Sequence, residues 1–419
     1  MWLDDFRTRV EQHPNATAII AREQRFTYRQ FWDRSAAAGA TACREQPGPR
    51  HWVSARDPLA FLEAVLGAWI RDKTPVAITP EMPAETQRLL RERTLAEPPR
   101  QADPERREAL VMGTSGSTGL PKLAVLPQTH LSLGVGSIAR WYGLPEGSQA
   151  LVATPLSTST ALLSTTLAGL SCGWAIHLYP AGTPGSVLQA CMHTHSIEVM
   201  NGSSSFFRVF FGYWHGTVFP TLRFNSATGE PGSRNLLEQM HTAFPKSQTN
   251  VIYGMTETGR TGMVSTHDPR AARGGCGVPM PHVEARLIPV PGVEPPTGEL
   301  LVRGPTIMLG YLEGNGGYTG LDAEGFLHTG DIMRPDPDGC LMCLGRISRL
   351  VKVGGLLVNP REVEQVLLQL PGVADAMCWA EPHELLGYQI AAMVTEEPGA
   401  VLDEQKLRRE CAARVEHHK

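Results

Sequence analysis

Val111-Met-Gly-Thr-Ser-Gly-Ser-Thr-Gly-Leu-Pro-Lys122 sets small residues, hydroxyls and one cation directly behind a short apolar run. Gly113, Gly116 and Gly119 carry no Cβ, so successive backbone N–H groups can face outward and form a concave anion site, with phosphate as its natural occupant. Thr114, Ser115, Ser117 and Thr118 add hydroxyl donors, and Lys122 supplies a charge for the phosphates of a nucleotide. The bland alternative is a Gly/Ser turn between two elements. A Walker loop is disfavoured, because it needs Gly-Lys followed directly by Ser or Thr, whereas Leu120-Pro121 separates Gly119 from Lys122.

Working outward, the flanking sequence alternates helical and strand patterns. Ala18 to Ala21 reads as a strand, Thr27 as the cap of a helix through Tyr28, Phe31, Trp32 and Ser35, and Pro58 as the start of a helix burying Phe61, Leu62, Val65, Leu66 and Trp69. Val76 to Ile78 reads as a buried strand, and residues 83–107 as a short helix plus linker. Beyond Lys122 the pattern predicts helices at Leu131 to Trp141 and Thr160 to Ser171. Strands are predicted at Ala150 to Thr154, Trp174 to Tyr179, near Val199, at Thr221 to Ser226 and at Asn250 to Ile252. Helices between strands imply parallel pairing, with loops at the strand carboxyl ends facing one crevice. From Arg286 onward short strands among Gly and Pro predict a β-rich subdomain. After Gly345, Asn359 with Pro360 and Glu362 predicts a capped helix, then two strands and a helix from Asp403 to Val415.

The expected architecture is therefore α/β: a large N-terminal domain, residues 1–345, with two α/β layers and the β-rich subdomain. A small, incomplete α+β domain follows at residues 346–419. The 419 residues are long for one core, and the net charge of −4 gives no reason to expect nucleic acid or an anionic membrane. No run is apolar for long enough to span a bilayer, so a cytoplasmic enzyme is expected. Eight irregularly spaced cysteines read as reduced thiols, and Cys340-x-x-Cys343 as a strand leaving a turn rather than half a zinc site. His193 and His195 have no ligand pattern beside them and read as exposed or packed.

Tyr253-Gly-Met-Thr-Glu-Thr-Gly259 follows a predicted strand, so it occupies a strand-end loop in the crevice. Tyr253 can lay its ring on a purine, and Glu257 can bind the Mg2+ that accompanies ATP, because hard cations take carboxylate oxygens. Together with the Val111 to Lys122 loop, this motif resembles those of the adenylate-forming superfamily of acyl- and aryl-CoA ligases, luciferases and non-ribosomal adenylation domains. Further segments match in the family's order. Ala227-Thr-Gly-Glu-Pro231 resembles the adenine-pocket segment, which points to Gly229 and Glu230. His328-Thr-Gly-Asp331 resembles the ribose motif, with Asp331 accepting from hydroxyls. Gly345-Arg-Ile-Ser-Arg-Leu-Val-Lys352 resembles the hinge before a mobile C-terminal domain, with Arg346 reaching ribose or phosphate. Gly254 and Thr256 are implied as further nucleotide contacts, and Gly354-Gly355 as the border of a thiol channel.

The resemblance implies attack of a carboxylate on the α-phosphorus of ATP, giving an acyl-adenylate and pyrophosphate, then capture by the thiol of CoA or of a carrier-protein phosphopantetheine. Thr114, Lys122 and Glu257 would serve the first step by placement and charge neutralisation. The chain departs from the family in three places. Ser348 stands at the usually charged hinge position, the aspartate that holds an amino-acid ammonium is absent from Leu156 to Thr160, and no C-terminal catalytic lysine is found, which reads as a fragment. The histidine common near Thr158 in aryl-CoA ligases is also absent. Ser157 to Thr160 and the Asn201 to Ser205 run, with Ser157, Thr158, Asn201 and Ser203 foremost, are the expected lining of a small polar pocket for an aryl or short acyl acid. A non-catalytic nucleotide binder, an amino-acid-activating domain and a phosphotransferase remain as alternatives.

Overall fold

The computed structural model describes residues 2–96, 98, 103–114, 120–229, 234–397 and 399–415. Two sheets carry the N-terminal part. In the larger, eight-stranded one, Thr17–Ala21, Ala175–Leu178, Gln149–Val152, Val199–Ser203, Phe224–Thr228 and Gln248–Met255 run parallel, as the intervening helices require. Antiparallel Gln24–Thr27 and Gly259–Ser265 close its edges. The second sheet, of six strands, orders Tyr318–Thr319, Gly310–Leu312, Lys122–Pro127, Glu108–Thr114, Thr74–Ala77 and Arg50–Val53. Sequence periodicity did not reveal Lys122–Pro127 as a strand. Its buried run Leu123 to Leu126 has no alternation to read, because both of its faces are covered.

Local chemistry explains the helix starts. Thr27 accepts from Gln30 N while the Gln30 side chain returns to Thr27 N, so a capping box opens Tyr28–Glu45. Asp57 caps Pro58–Ile70, with Pro58 in the first turn, where no N–H is needed. These two helices touch through glycines: a Cβ at Gly67 would lie 2.4 Å from Ser35 O, and one at Gly39 2.3 Å from Gly67 O. The unanticipated helix Trp2–Gln12 lays Trp2 and Phe6, stacked at 5.2 Å, into the same core as Tyr28 and Phe31.

The β-rich region is a five-stranded antiparallel sheet of Gly275–Gly277, Leu341–Arg346, Leu327–Pro335, Gly298–Arg303 and Glu284–Ile288. Beyond it, Asn359 caps Pro360–Leu367, which packs with Glu404–Ala412 on the hairpin Val373–His383 and Gly387–Glu396. The fold is thus a large N-terminal α/β domain followed by a small C-terminal one. All eight cysteines are free; the Cys276 thiol donates to Gly274 O at 3.3 Å, and Cys343 lies on the strand that pairs with Gly275–Gly277. His195 is packed on His177, ring centroids 4.7 Å apart, and His193 on Phe219 at 4.9 Å. Among the described residues no helix is long and apolar enough to cross a membrane.

Candidate nucleotide and acid site

Strands Glu108–Thr114 and Lys122–Pro127 form a hairpin in which Thr114 stands opposite Lys122, and the Thr114 hydroxyl donates to Lys122 O at 3.4 Å. Ser115, Gly116, Ser117, Thr118 and Gly119, which connect these strands in sequence, lie outside the described residues. The next strand, Gly310–Leu312, pairs with Lys122–Pro127 and carries Tyr311. Lys122 Nζ sits 4.6 Å from the centre of the Tyr311 ring, and the Tyr311 hydroxyl donates to Glu257 Oε1 at 2.8 Å. The loop's cation and the candidate metal-binding carboxylate thus converge on one side chain. Burial, with the Glu257 charge beside it, raises the Tyr311 pKa and keeps that hydroxyl a donor.

Glu257 stands in the turn between Gln248–Met255 and Gly259–Ser265, where it is 8% exposed. The turn is tied by the Thr258 hydroxyl, which accepts from Met255 N at 3.2 Å and from the Thr261 hydroxyl at 3.0 Å. Met308 N donates to Glu257 O at 2.8 Å, docking the turn on the segment before Tyr311. Gly254 has no room for a side chain, since a Cβ there would meet Gly259 O at 2.1 Å. Thr256 occupies the same turn, half-buried. Glu257 belongs to no His/Cys cluster among the described residues, and a carboxylate with one oxygen bonded to tyrosine suits Mg2+ rather than a soft metal.

A second chain of contacts crosses between sheets. Tyr253 OH donates to Asp331 Oδ2 at 2.7 Å, and Arg346 Nε donates to Asp331 Oδ1 at 2.8 Å. Desolvation first, then the Asp331 charge, raises the Tyr253 pKa well above its ordinary value. Asp331 and Arg346 face each other in the register of adjacent strands, so the ribose and hinge motifs meet although neither predicts the other. Gly229 follows the strand Phe224–Thr228 with φ of +86°, while Glu230 lies outside the described residues.

Next to Gly254 a cavity of about 60 Å³ opens between the sheet ends and the helical segment from Thr160, lined in part by Ser159, Thr160, Ser226, Thr228 and Arg260. Of the two stretches expected there from sequence, Ser159 and Thr160 border it, whereas Ser157, Thr158, Asn201 and Ser203 do not. Asn201 donates to Tyr142 Oη at 2.6 Å and Thr165 Oγ1 at 3.0 Å and accepts from Ser226, which commits it to the core. Ser203 caps the helix Ser204–Phe211 through Phe206 N at 3.0 Å. The Thr158 hydroxyl closes a turn on Pro155 O at 2.7 Å, and Ser157 belongs to the same turn. Alternation alone does not decide this: Asn201 pairs in register with Ser226 and Ser203 with Thr228, so all four share one face of the sheet, and it is the neighbouring strand that lines the cavity while Asn201 and Ser203 are taken up by Tyr142, Thr165 and Phe206 N.

The model of the AMP-binding enzyme family matches residues 85–312, and that of the AMP-binding enzyme C-terminal domain matches residues 362–419. This chain is an AMP-binding enzyme family member. Among its relatives are the sulfoacetate–CoA ligase of Cupriavidus necator, 29% identical over 77% of this chain and 63% of that protein, and the oxalate–CoA ligase of Arabidopsis thaliana, 28% identical over 72% and 60%. The matched part of the chain spans 63% of the first of these and 60% of the second. The family fold is shared with the O-succinylbenzoate CoA synthetase of Bacillus subtilis in complex with AMP, with a TM-score of 0.82, 20% identity and coverage of 99% of this chain and 92% of that one. ATP-bound MatB from Rhodopseudomonas palustris has a TM-score of 0.81 at 18% identity, over 100% and 93%.

Sequence reasoning had no means of finding Tyr311, which lies 54 positions from Glu257 and in no motif. Arg260 adjoins the Tyr253 motif, and its charge was visible there, but its burial was not.

Proposed function

We propose that this family member activates a small carboxylic acid with ATP, releasing pyrophosphate, and passes the acyl group to the thiol of CoA. The observation that carries this reading is the meeting of Lys122 and Glu257 on Tyr311 beside the Tyr253–Asp331–Arg346 chain. Lys122 would neutralise phosphate charge, Asp331 would accept from ribose hydroxyls, and Arg346 would orient the nucleotide. Mg2+, held by Glu257, would supply charge neutralisation of the leaving phosphates. Residues 346–419 act as the mobile domain in this account, moving after adenylate formation so that the thiol reaches the acyl carbon without water. The names of the relatives as CoA ligases favour CoA over a carrier-protein phosphopantetheine. A need for ATP and CoA favours a cytoplasmic location.

Among the described residues no aspartate or glutamate lines the cavity, which counsels against an ammonium-bearing amino acid. The test measures MgATP binding, then acid-dependent pyrophosphate exchange over a panel of acids, with Lys122→Ala and Glu257→Gln as controls. MgATP binding that both variants weaken, with AMP as the nucleotide product, is expected. Absence of MgATP binding, or release of ADP, refutes the reading.

A further inference from the structure

We infer that Arg260 anchors a second anionic group on the acid, so that the substrate class is short acids bearing two negative groups, carboxylate with carboxylate or carboxylate with sulfonate. The inference rests on the acid-activation reading only for the direction in which the first carboxylate faces.

Arg260 is 9% exposed, and among the described residues its Nε and Nη2 have no hydrogen-bond partner. Nη1 reaches only the thioether sulfur of Met263, at 3.8 Å, while the guanidinium lies over the Trp141 ring at 4.7 Å. Among the described residues no carboxylate forms an ion pair with it. Burial pulls its pKa down and the neighbouring Tyr142 acts in the opposite sense, yet a guanidinium stays charged at any physiological pH. An aromatic face compensates part of a desolvated cation, but it cannot satisfy in-plane N–H donors. A buried charge without its counter-ion is among the costliest arrangements a fold can hold, and it persists where a ligand completes it.

The surroundings specify the ligand's sign. Around the cavity the Ser226 and Thr228 hydroxyls are engaged with Asn201 and Gly202 O, whereas the Thr306 hydroxyl is buried without a partner among the described residues, and Ser159 and Thr160 add further hydroxyls to the lining. The ring of His130 is engaged by the Thr306 carbonyl, and burial holds its pKa at about 4, so it adds no charge. His282 is likewise depressed by burial. Among the described residues, Arg260 is therefore the one permanently charged residue in the lining of a cavity that has hydroxyls and no acid. It is also well placed to meet the far end of a substrate, because it pairs in register with Gly254, directly after the turn that carries Glu257. An acid whose reacting carboxylate lies on the nucleotide side of that turn can place its other end on the guanidinium. A cavity of about 60 Å³ holds a group the size of a few water molecules, which favours a short acid.

The test is calorimetric binding of matched acids to the whole chain, with MgATP titrated separately. Succinate and 3-sulfopropionate are compared with butyrate and with monomethyl succinate, each with and without nucleotide. We expect the doubly charged acids to bind at least about thirtyfold tighter than their singly charged partners. In Arg260→Met that preference disappears, while MgATP affinity holds. Arg260→Lys, which keeps charge but not the planar fork, recovers part of it. Equal affinities in the unaltered chain, or a preference that survives Arg260→Met, overturns the inference. If either variant fails to fold, the unaltered chain alone decides, because a preference for singly charged acids is sufficient to refute it. Loss of MgATP binding in the unaltered chain would count against the nucleotide reading, and the nucleotide-free acid titrations would still judge Arg260.

Discussion

Glu108→Gln should destabilise the sheet that presents the phosphate loop, although Glu108 lies at the opposite end of its strand from Thr114. Arg50 Nη2 donates to Glu108 Oε1 at 2.7 Å and Nε to Oε2 at 3.1 Å, a two-pronged pair whose side chains are 1% and 5% exposed. Tyr318 OH donates to the same carboxylate at 2.8 Å, and Arg50 Nη1 donates to Ala96 O at 2.6 Å. Arg50 and Tyr318 lie on the two edge strands, so one carboxylate sutures the six-stranded sheet from edge to edge. Neutralising it leaves Arg50 as a buried charge without its counter-ion, a loss of about 3–5 kcal/mol. That is a large part of the roughly 5–15 kcal/mol that holds an ordinary domain folded. Urea unfolding followed by tryptophan fluorescence should show the midpoint falling by about 1 M or more. Arg50→Met combined with Glu108→Leu, which removes both charges, should recover most of the loss. A drop below about 1 kcal/mol for the single variant, or a double variant as unstable as the single one, would refute the suture.

Three further outcomes follow from the geometry. Gly254→Ala should open the turn carrying Glu257, since its methyl would collide with Gly259 O at 2.1 Å, and MgATP affinity should fall by about tenfold or more in calorimetry. Asp331→Ala removes the acceptor shared by Tyr253 and Arg346, so the nucleotide dissociation constant should rise by about 10–100-fold, while a neighbouring surface variant such as Glu313→Gln leaves it unchanged. His130 has a folded pKa of about 4 because burial disfavours its charged form, against an ordinary value near 6.5. As pH falls through 6.5 the unfolded chain takes up a proton that the native state refuses, so stability drops over the window from there to about 4. Denaturation midpoints should report a loss of about 2 kcal/mol from this group between pH 7 and pH 5, and His130→Gln should flatten that slope.

The readable parts of this protein share one property: their signals are local. Thr27, Pro58 and Asn359 with Pro360 announced their helices because a helix start is settled within three residues of itself. The crevice position of the Tyr253 motif followed from the strand before it, and parallel pairing followed from helices between strands. Where both faces of a strand are covered, as in Lys122–Pro127, the pattern carried no period and the strand went unread. The lining of the cavity is legible only in part for a related reason. Asn201 and Ser226 are register partners on one face, and which of the two borders the cavity depends on what packs over each strand rather than on the strand itself.

From the order of residues alone came the α/β architecture, the phosphate loop, the candidate metal carboxylate and the family resemblance, since each is written in a few adjacent side chains and the backbone shapes they allow. Only the tertiary structure put Tyr311 between Lys122 and Glu257, joined Arg50, Glu108 and Tyr318 across separations of 58 and 210 residues, and buried Arg260 with no counter-ion among the described residues. Such contacts are chosen by how sheets stack and which faces they cover, and a linear spacing holds no record of that choice.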